Sequence, residues 1–356
     1  MAAPLPAVSP EDPLVVWGGG AIGGTIAAYW ARAGIPVLLV DVVREHVEAC
    51  RTSGLAIEGK IENFTQKIAA ATPDELQGTY SRIVLAVKAQ ATAATVEQLL
   101  PHLQPDGFIV SAQNGLNEAE IARQAGAART MGCFVNFGAD WLGPGRVLYG
   151  GRGEVYVGEI DGVERERTRE MHRLMQLFEP DAVLTGNIWG VLWAKLAFAS
   201  MLFASSLNDD GMAGNFGDAS REAAFVVPGR EVLAVARSQG VRPQAYTSFD
   251  PAAFEASAPA GSARAALDRL AERRRNAGKT HSGFWRDLAV RKRRTELDPL
   301  LGVVAERARA AGIATPALDT LIGLVRDVED GRRKLSMDTF NVLLDRCHAL
   351  SNAASS

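Results

Sequence analysis

One lysine, Lys195, interrupts the apolar stretch GNIWGVLWAKLAFASMLFASS at positions 186–206. Taking an ammonium group out of water is costly, so a lysine in such a run calls for a compensating partner or a chemical role. On a helix its neighbours one turn away are Val191, Leu192, Phe198 and Ala199, all apolar. Partial desolvation by these side chains is expected to ease release of the lysine's proton and fit it for general acid–base work. A lysine snorkelling from a helix edge is the alternative that this stretch alone leaves open.

A second pattern binds rather than reacts. Gly18, Gly20 and Gly23 form G-x-G-x-x-G directly after the apolar run LVVW and at the mouth of an Ala-rich helix. In that context the first glycine makes a tight turn, the second lets the backbone approach a pyrophosphate, and the third packs helix against strand. The loop Gly18, Gly19, Gly20, Ala21, Ile22 and Gly23 is therefore expected to hold a dinucleotide. Asp41 ends the next apolar run, 21 residues after Gly20, where a carboxylate can accept hydrogen bonds from both ribose hydroxyls of an adenosine. That carboxylate would repel a 2′-phosphate, although Arg44 follows three residues later. The cofactor expected is NAD or NADP, with NAD favoured. A nicotinamide cofactor delivers hydride to a carbonyl, and a proton donor such as Lys195 must then meet the oxygen.

The elements needed to position these groups are legible in outline. PLVVWGGGAIGGTIAAYWARAGIPVLLVDV reads as a βαβ unit with its second strand at 37–41, and further strands are expected at GLAIEG, RIVLAVK (82–88), GFIVSAQ (107–113) and TMGCFVNF. Helical stretches such as TAATVEQLLPHL separate some of them, which implies an α/β Rossmann-like fold with a doubly wound parallel sheet. GRVLYGGRGEVYVGEI, punctuated by glycines, reads as two short strands paired as a hairpin near the sheet edge. From about residue 186 helical periodicity takes over, at 187–206, 220–239, 262–275, 296–311 and 316–329, giving an all-α C-terminal domain. The expected organisation is a flexible lead over 1–12, a dinucleotide-binding domain over 13–185 and a helical catalytic domain over 186–350.

Composition narrows the class. With 356 residues, a net charge of −3 and 47% hydrophobic residues, the chain is expected to be a cytoplasmic globular protein of two domains. Cys50, Cys133 and Cys347 lie far apart without a CxxC pair, so no metal site is expected. The first residues, MAAPLPAVSPEDP, have no basic segment followed by an apolar core, and no signal peptide is expected. Lys195 and the small residues around it argue against a membrane span. From Arg264 to Arg294 there are eleven basic residues against three acids, a local net charge of +8. A solvated helical face or an anion-steering rim accounts for this stretch, and no recognition motif accompanies it to imply nucleic acid.

Four stretches in order give the chain a resemblance to the ketopantoate reductase (2-dehydropantoate 2-reductase) family over nearly its full length. They are GGGAIGG, then LAVKAQAT with Lys88 and SAQNGLNE with Asn114, then NIWGVLWAKLAFAS with Lys195, and finally RRTELDPLLGVVAERARAAGIATPALDTLIGLV with Glu296. The resemblance implies an NAD(P)-dependent oxidoreductase, possible homodimers, and a C-terminal domain like that of 6-phosphogluconate dehydrogenase. It implies that Lys195, facing an interdomain cleft, bonds the ketone oxygen and exchanges the proton, and that Glu296 nearby positions the lysine and contacts substrate. It also implies that Asn114 lies near nicotinamide and substrate, that Lys88 borders the cofactor, and that Ser282, matched with a one-residue insertion, contacts substrate.

Departures from the family pattern bear on the substrate. One and two turns beyond the lysine, where the family carries asparagines, stand Ala199 and Phe203. An apolar wall there would leave the hydroxyl of ketopantoate unpaired. The segment from Val241 to Arg294 is long for the family, and its Phe249, Phe254, Phe284 and Trp285 are candidates for a larger pocket, with His281 and Arg286 beside it. The substrate expected is a small anionic 2-oxo acid or related ketone, bulkier or more apolar than ketopantoate. A β-hydroxyacid or 6-phosphogluconate-like dehydrogenase, and a cofactor-sensing protein without catalysis, are the other readings.

Overall fold

The computed structural model describes residues 8–276 and 280–355. Most of the expected lead, residues 1–7, lies outside the described residues, as does Lys279 of the basic stretch. The chain divides into two compact units, Met1–Ile188 and Trp189–Ser356.

The first unit is built on one ten-stranded sheet. Strands β1 (Leu14–Trp17), β2 (Val37–Val40), β6 (Tyr80–Leu85), β7 (Leu103–Ser111) and the start of β8 (Thr130–Gly143) run parallel in the order β8-β7-β6-β1-β2. Their side chains alternate between two cores: Leu14, Val16, Leu39 and Val84 enter one, while Val15, Trp17, Val40 and Leu85 enter the other. Both faces are covered, which is why these strands read as continuous apolar runs rather than as alternation. Helices α1 (Ala21–Arg32) and α5 (Glu166–Gln176) pack in the first core, and α3 (Thr92–Leu99) and α4 (Asn117–Ala125) in the second. Short strands β3 (Leu55–Gly59), β4 (Phe64–Gln66), β5 (Ala69–Ala71) and β10 (Val183–Leu184) and helix α2 (Arg44–Thr52) complete the unit.

One expectation is corrected. Residues 146–159 are not two paired strands but one 14-residue strand, β9 (Arg146–Glu159), antiparallel to β8 and joined to it by the Pro144–Gly145 turn. The glycines that read as turn punctuation sit opposite bulges in β8, where the register shifts between Asn136 and Gly138 and again between Gly138 and Ala139. A Cβ on Gly153 would lie 2.2 Å from the Asn136 carbonyl oxygen, so this glycine permits close strand approach rather than a turn.

The second unit is helical among its described residues. Its elements are α6 (Ile188–Ala204), which begins on the last residue of the first unit, α7 (Met212–Gly217), α8 (Glu222–Ser238), α9 (Ser262–Asn276), a single turn α10 (Gly283–Trp285), α11 (Val303–Ala310), α12 (Pro316–Glu329) and α13 (Met337–Ser355). Wide helical turns at Arg286–Val290 and Asp298–Gly302 flank the segment carrying Glu296. Glu231 of α8 accepts the first two N–H groups of α12, from Ala317 at 3.0 Å and Leu318 at 2.7 Å. No described helix is long and apolar enough to cross a membrane.

Candidate active site

In the first unit the glycine loop follows β1 and opens α1. Gly18 has a φ of +104°, and a Cβ there would lie 2.8 Å from the Ala86 carbonyl carbon and the Val87 nitrogen at the end of β6. A Cβ on Gly23 would lie 2.0 Å from the Gly18 carbonyl oxygen, so the helix can seat against the loop only without a side chain. A Cβ on Gly20 would meet nothing within 4 Å. No side chain caps α1 and no acidic residue lies in its first turn, so Ala21, Ile22 and the other first-turn N–H groups face open space in the orientation that binds anions. This cradle fits a pyrophosphate.

Asp41 follows β2 and accepts hydrogen bonds from Gly19 N at 2.7 Å and Val43 N at 2.9 Å. The carboxylate is thereby fixed against the loop, and each oxygen keeps a second acceptor site for a ribose hydroxyl. Arg44 is engaged elsewhere, by Asp74 and Glu75, both at 3.1 Å. Beneath the loop lies a residue the sequence did not single out, His46. Its Nδ1 accepts from Gly145 N at 2.9 Å, so the ring proton resides on Nε2, and burial lowers its pKa. A Cβ on Gly19 would lie 2.9 Å from that Nε2, so loop and imidazole are in direct contact.

Lys88 and Asn114 sit in the loops after β6 and β7, at the carboxyl ends of adjacent parallel strands, where open α/β sheets bind ligands. Lys88 is exposed and Asn114 half-buried. A buried network missed by the sequence reading ties these loops together. The Gln113 amide donates to the Val87 carbonyl and to Thr92 Oγ1, both at 2.8 Å; Thr92 donates to Asn117 Oδ1 at 3.0 Å; and Asn117 donates to the Asn114 carbonyl at 2.7 Å. Gln113 and Asn117 bracket the stretch Asn114, Gly115 and Leu116, and polar residues beside such a turn carry no separate signal of burial. Glu118 is fully buried, and burial pushes its pKa up to about 7 against the pull of its own N–H and the Ser111 hydroxyl.

In the second unit Lys195 is the only residue between Gly190 and Met201 that is not buried, so α6 presents one narrow open face with Lys195 on it. Phe198 and Ala199, one turn on, retain only 6% and 7% exposure. Phe203 is buried and stacked on Phe284, with ring centroids 3.8 Å apart and planes at 9°. Glu296 is half-buried immediately before the wide turn, its carbonyl accepting from Leu300 N at 3.2 Å. Ser282 is buried and caps α10 through a 3.1 Å bond from Trp285 N, a local task for the hydroxyl. Of the aromatics proposed for a pocket, Phe249 and Phe254 are core residues, stacked at 5.0 Å, while Phe284 and Trp285 are half-buried. The basic stretch is largely compensated: Arg264 pairs with Glu222 and Asp268, Arg291 and Arg293 with Asp287, and Arg294 with Glu329 and Asp330. Among the described residues no cluster of histidine, cysteine and acid side chains could hold a metal.

A glycine-cradled helix N-terminus after the first strand of a parallel sheet, with a carboxylate closing the second, defines a dinucleotide-binding protein of the Rossmann class. The model of ketopantoate reductase PanE/ApbA matches residues 14–162, and that of the C-terminal part of the same family matches residues 187–329. The chain belongs to the ketopantoate reductase family of NAD(P)-dependent oxidoreductases. A 2-dehydropantoate 2-reductase of Mesorhizobium japonicum is 27% identical over 339 residues, covering 88% of this chain and 96% of that protein. The PanE/ApbA family ketopantoate reductase of Ralstonia eutropha superposes with a TM-score of 0.73 at 26% identity, covering 90% of this chain and 99% of the other. A D-mandelate dehydrogenase in ternary complex with NADH and anilino(oxo)acetate shares the fold, with a TM-score of 0.75 at 20% identity over 90% of this chain and 99% of that one.

Proposed function

We propose that this protein interconverts a 2-oxo acid and its 2-hydroxy acid, with Lys195 exchanging the proton at the substrate oxygen. The observation that carries the reading is Lys195 itself, the one open position in an otherwise buried run of α6. The bound nicotinamide cofactor supplies the hydride to the carbonyl carbon. Lys195 donates its proton to the oxygen on which charge develops, and takes it back in the oxidative direction. Glu296 is proposed to position the ammonium and contact substrate, Asn114 to orient the substrate, and Lys88 to border the cofactor. Ser282, already engaged as a cap, is proposed to contact substrate through the remaining capacity of its hydroxyl. The loop Gly18–Gly23 binds the pyrophosphate and Asp41 the adenosine ribose. NAD is preferred in this reading, supported by the fixed carboxylate of Asp41 and by the engagement of Arg44 with Asp74 and Glu75.

The substrate proposed is one other than ketopantoate, with a more apolar remainder, supported by Ala199 and by Phe203 locked against Phe284. Ketopantoate, the substrate named for the Mesorhizobium relative, is the other arm of the test. Absorbance of NADH and NADPH is followed against a panel of 2-oxo acids that includes ketopantoate, with Lys195→Ala as control. Turnover of an apolar 2-oxo acid in preference to ketopantoate is expected, with a loss in the alanine variant of roughly 10²–10⁴-fold while cofactor binding persists. Full activity of Lys195→Ala would remove the lysine from its role, preference for ketopantoate would overturn the substrate assignment, and cofactor binding without turnover would favour a sensing protein. A homodimer, carried by the family resemblance, is checked by light scattering of the full chain.

A further inference from the structure

One half-buried arginine of the basic stretch has no partner among the described residues. Arg269, Arg275 and Lys292 are exposed, and Arg273 donates to the Thr247 carbonyl. Arg274, in the last turn of α9, is half-buried, its Nε is fully enclosed, and among the described residues it has neither a hydrogen bond nor a carboxylate within ion-pair distance. Burial pulls its pKa below the ordinary arginine value. A guanidinium has five N–H donors and no means of becoming neutral at working pH, so the enclosed Nε–H left without an acceptor is costly, while the two terminal nitrogens are not enclosed and stay open to a ligand.

Its surroundings say where the missing acceptor would come from. The guanidinium carbon lies over the Phe198 ring, 5.8 Å from its centroid. Phe198 is three residues beyond Lys195 on α6 and so shares its face, roughly 5–6 Å away between Cβ atoms. Phe249 packs against Phe198 with ring centroids 5.4 Å apart. The open face of α6 is thus bordered by Lys195, by an apolar floor of Phe198 and Ala199, and by an unsatisfied planar cation. The fork of a guanidinium matches a carboxylate in two parallel hydrogen bonds.

We propose that Arg274 is the receptor for the substrate's carboxylate, and that it selects anionic 2-oxo acids whose apolar remainder rests on Phe198 and Ala199. This rests on the reading of Lys195 as the group at the ketone oxygen. The acid group at Arg274 and the ketone at Lys195 would be held in register by Phe198, which lies one helix turn from Lys195 and under the guanidinium. Arg274 takes in this chain the orienting task that polar side chains on α6 cannot perform, because Ala199 and Phe203 stand there.

The test uses the full-length protein and two readouts. Binding of oxamate, an unreactive mimic of a 2-oxo acid, is measured by calorimetry in the presence of cofactor for wild type, Arg274→Leu and Arg274→Lys. Loss of binding by at least 30-fold in Arg274→Leu is expected, with a smaller loss in Arg274→Lys and unchanged cofactor affinity. In turnover, KM for the best 2-oxo acid is expected to rise by a similar factor in Arg274→Leu, while the uncharged methyl ester of the same acid is reduced equally well by both proteins. Because the leucine removes an unpaired cation, its melting temperature is expected to be no lower than wild type; if that variant fails to fold, Arg274→Lys and Arg274→Gln carry the same comparison. Equal oxamate affinity in wild type and folded variants would overturn the proposal even if the Lys195 reading stands. Arg274-dependent oxamate binding without turnover would uphold the carboxylate receptor while the Lys195 reading fails.

Discussion

Asp41 does two things with one carboxylate. It anchors the glycine loop through Gly19 N and the entry to α2 through Val43 N, and in the proposed function its remaining acceptor sites take the adenosine ribose. Asp41→Ala is therefore expected to weaken NADH binding about tenfold or more, the worth of one or two charge-assisted hydrogen bonds. NADPH binding should fall less, since the repulsion of a 2′-phosphate is removed at the same time. Fluorescence titration with both cofactors reads the ratio, and an unchanged ratio would remove Asp41 from cofactor choice. This residue, like Gly18 and Gly23, was legible in the sequence because its spacing from a strand–turn–helix pattern is set by backbone geometry. Arg274 was not. It is the middle of three consecutive arginines at a helix end, where solvated cations are the ordinary expectation, and only packing distinguishes it from Arg273 and Arg275.

Between elements, backbone pairing of β6 and β7 runs to their carboxyl ends, and side chains join the loops beyond them. Gln113 reaches back to the Val87 carbonyl and Thr92, so the loops bearing Lys88 and Asn114 are tied together. Gln113→Leu keeps the volume and deletes both donations. It leaves the buried Val87 carbonyl and Thr92 hydroxyl short of a partner, at a cost of about 1–3 kcal/mol. A melting temperature lowered by several degrees and a raised KM for cofactor are expected, with kcat less affected. A variant that melts like wild type and keeps its KM would show the loops to be independently held. The longer elements were legible: α6, α9 and α12 fall where apolar periodicity and proline and glycine signals put them. Strands β4, β5 and β10 were not, because two or three residues are too few to display a period. Strand β9 was misread because its glycines answer to bulges in its partner, a tertiary cause that no local pattern encodes.

At the scale of the whole molecule, each unit holds a carboxyl, Glu118 in the first and Glu231 in the second, whose burial opposes folding once it is ionised. Glu118 lies fully buried in the first turn of α4, and burial pushes its pKa up to about 7 against the pull of the Ser111 hydroxyl. Glu231 is pushed up to about 7 by burial as well, against the pull of the two α12 N–H groups it accepts. Both hold their protons to higher pH in the folded state than in the unfolded chain. Folding therefore takes up protons between the ordinary glutamate value and about 7. The stability they contribute is complete below that ordinary value, declines as the pH rises to about 7, and stays at its lower level above it. Exposed acids held by arginines, such as Asp161 beside Arg165, act in the opposite sense at lower pH, so the difference between variants isolates the effect. Glu118→Gln keeps the shape of the side chain and removes its titration. Its melting temperature is expected to match wild type within a degree or so at pH 5 and to exceed it by a few degrees at pH 8. A difference between the two proteins that stays constant from pH 5 to pH 8 would show that Glu118 is ionised in the folded state throughout, and that its burial is compensated by groups other than its own proton.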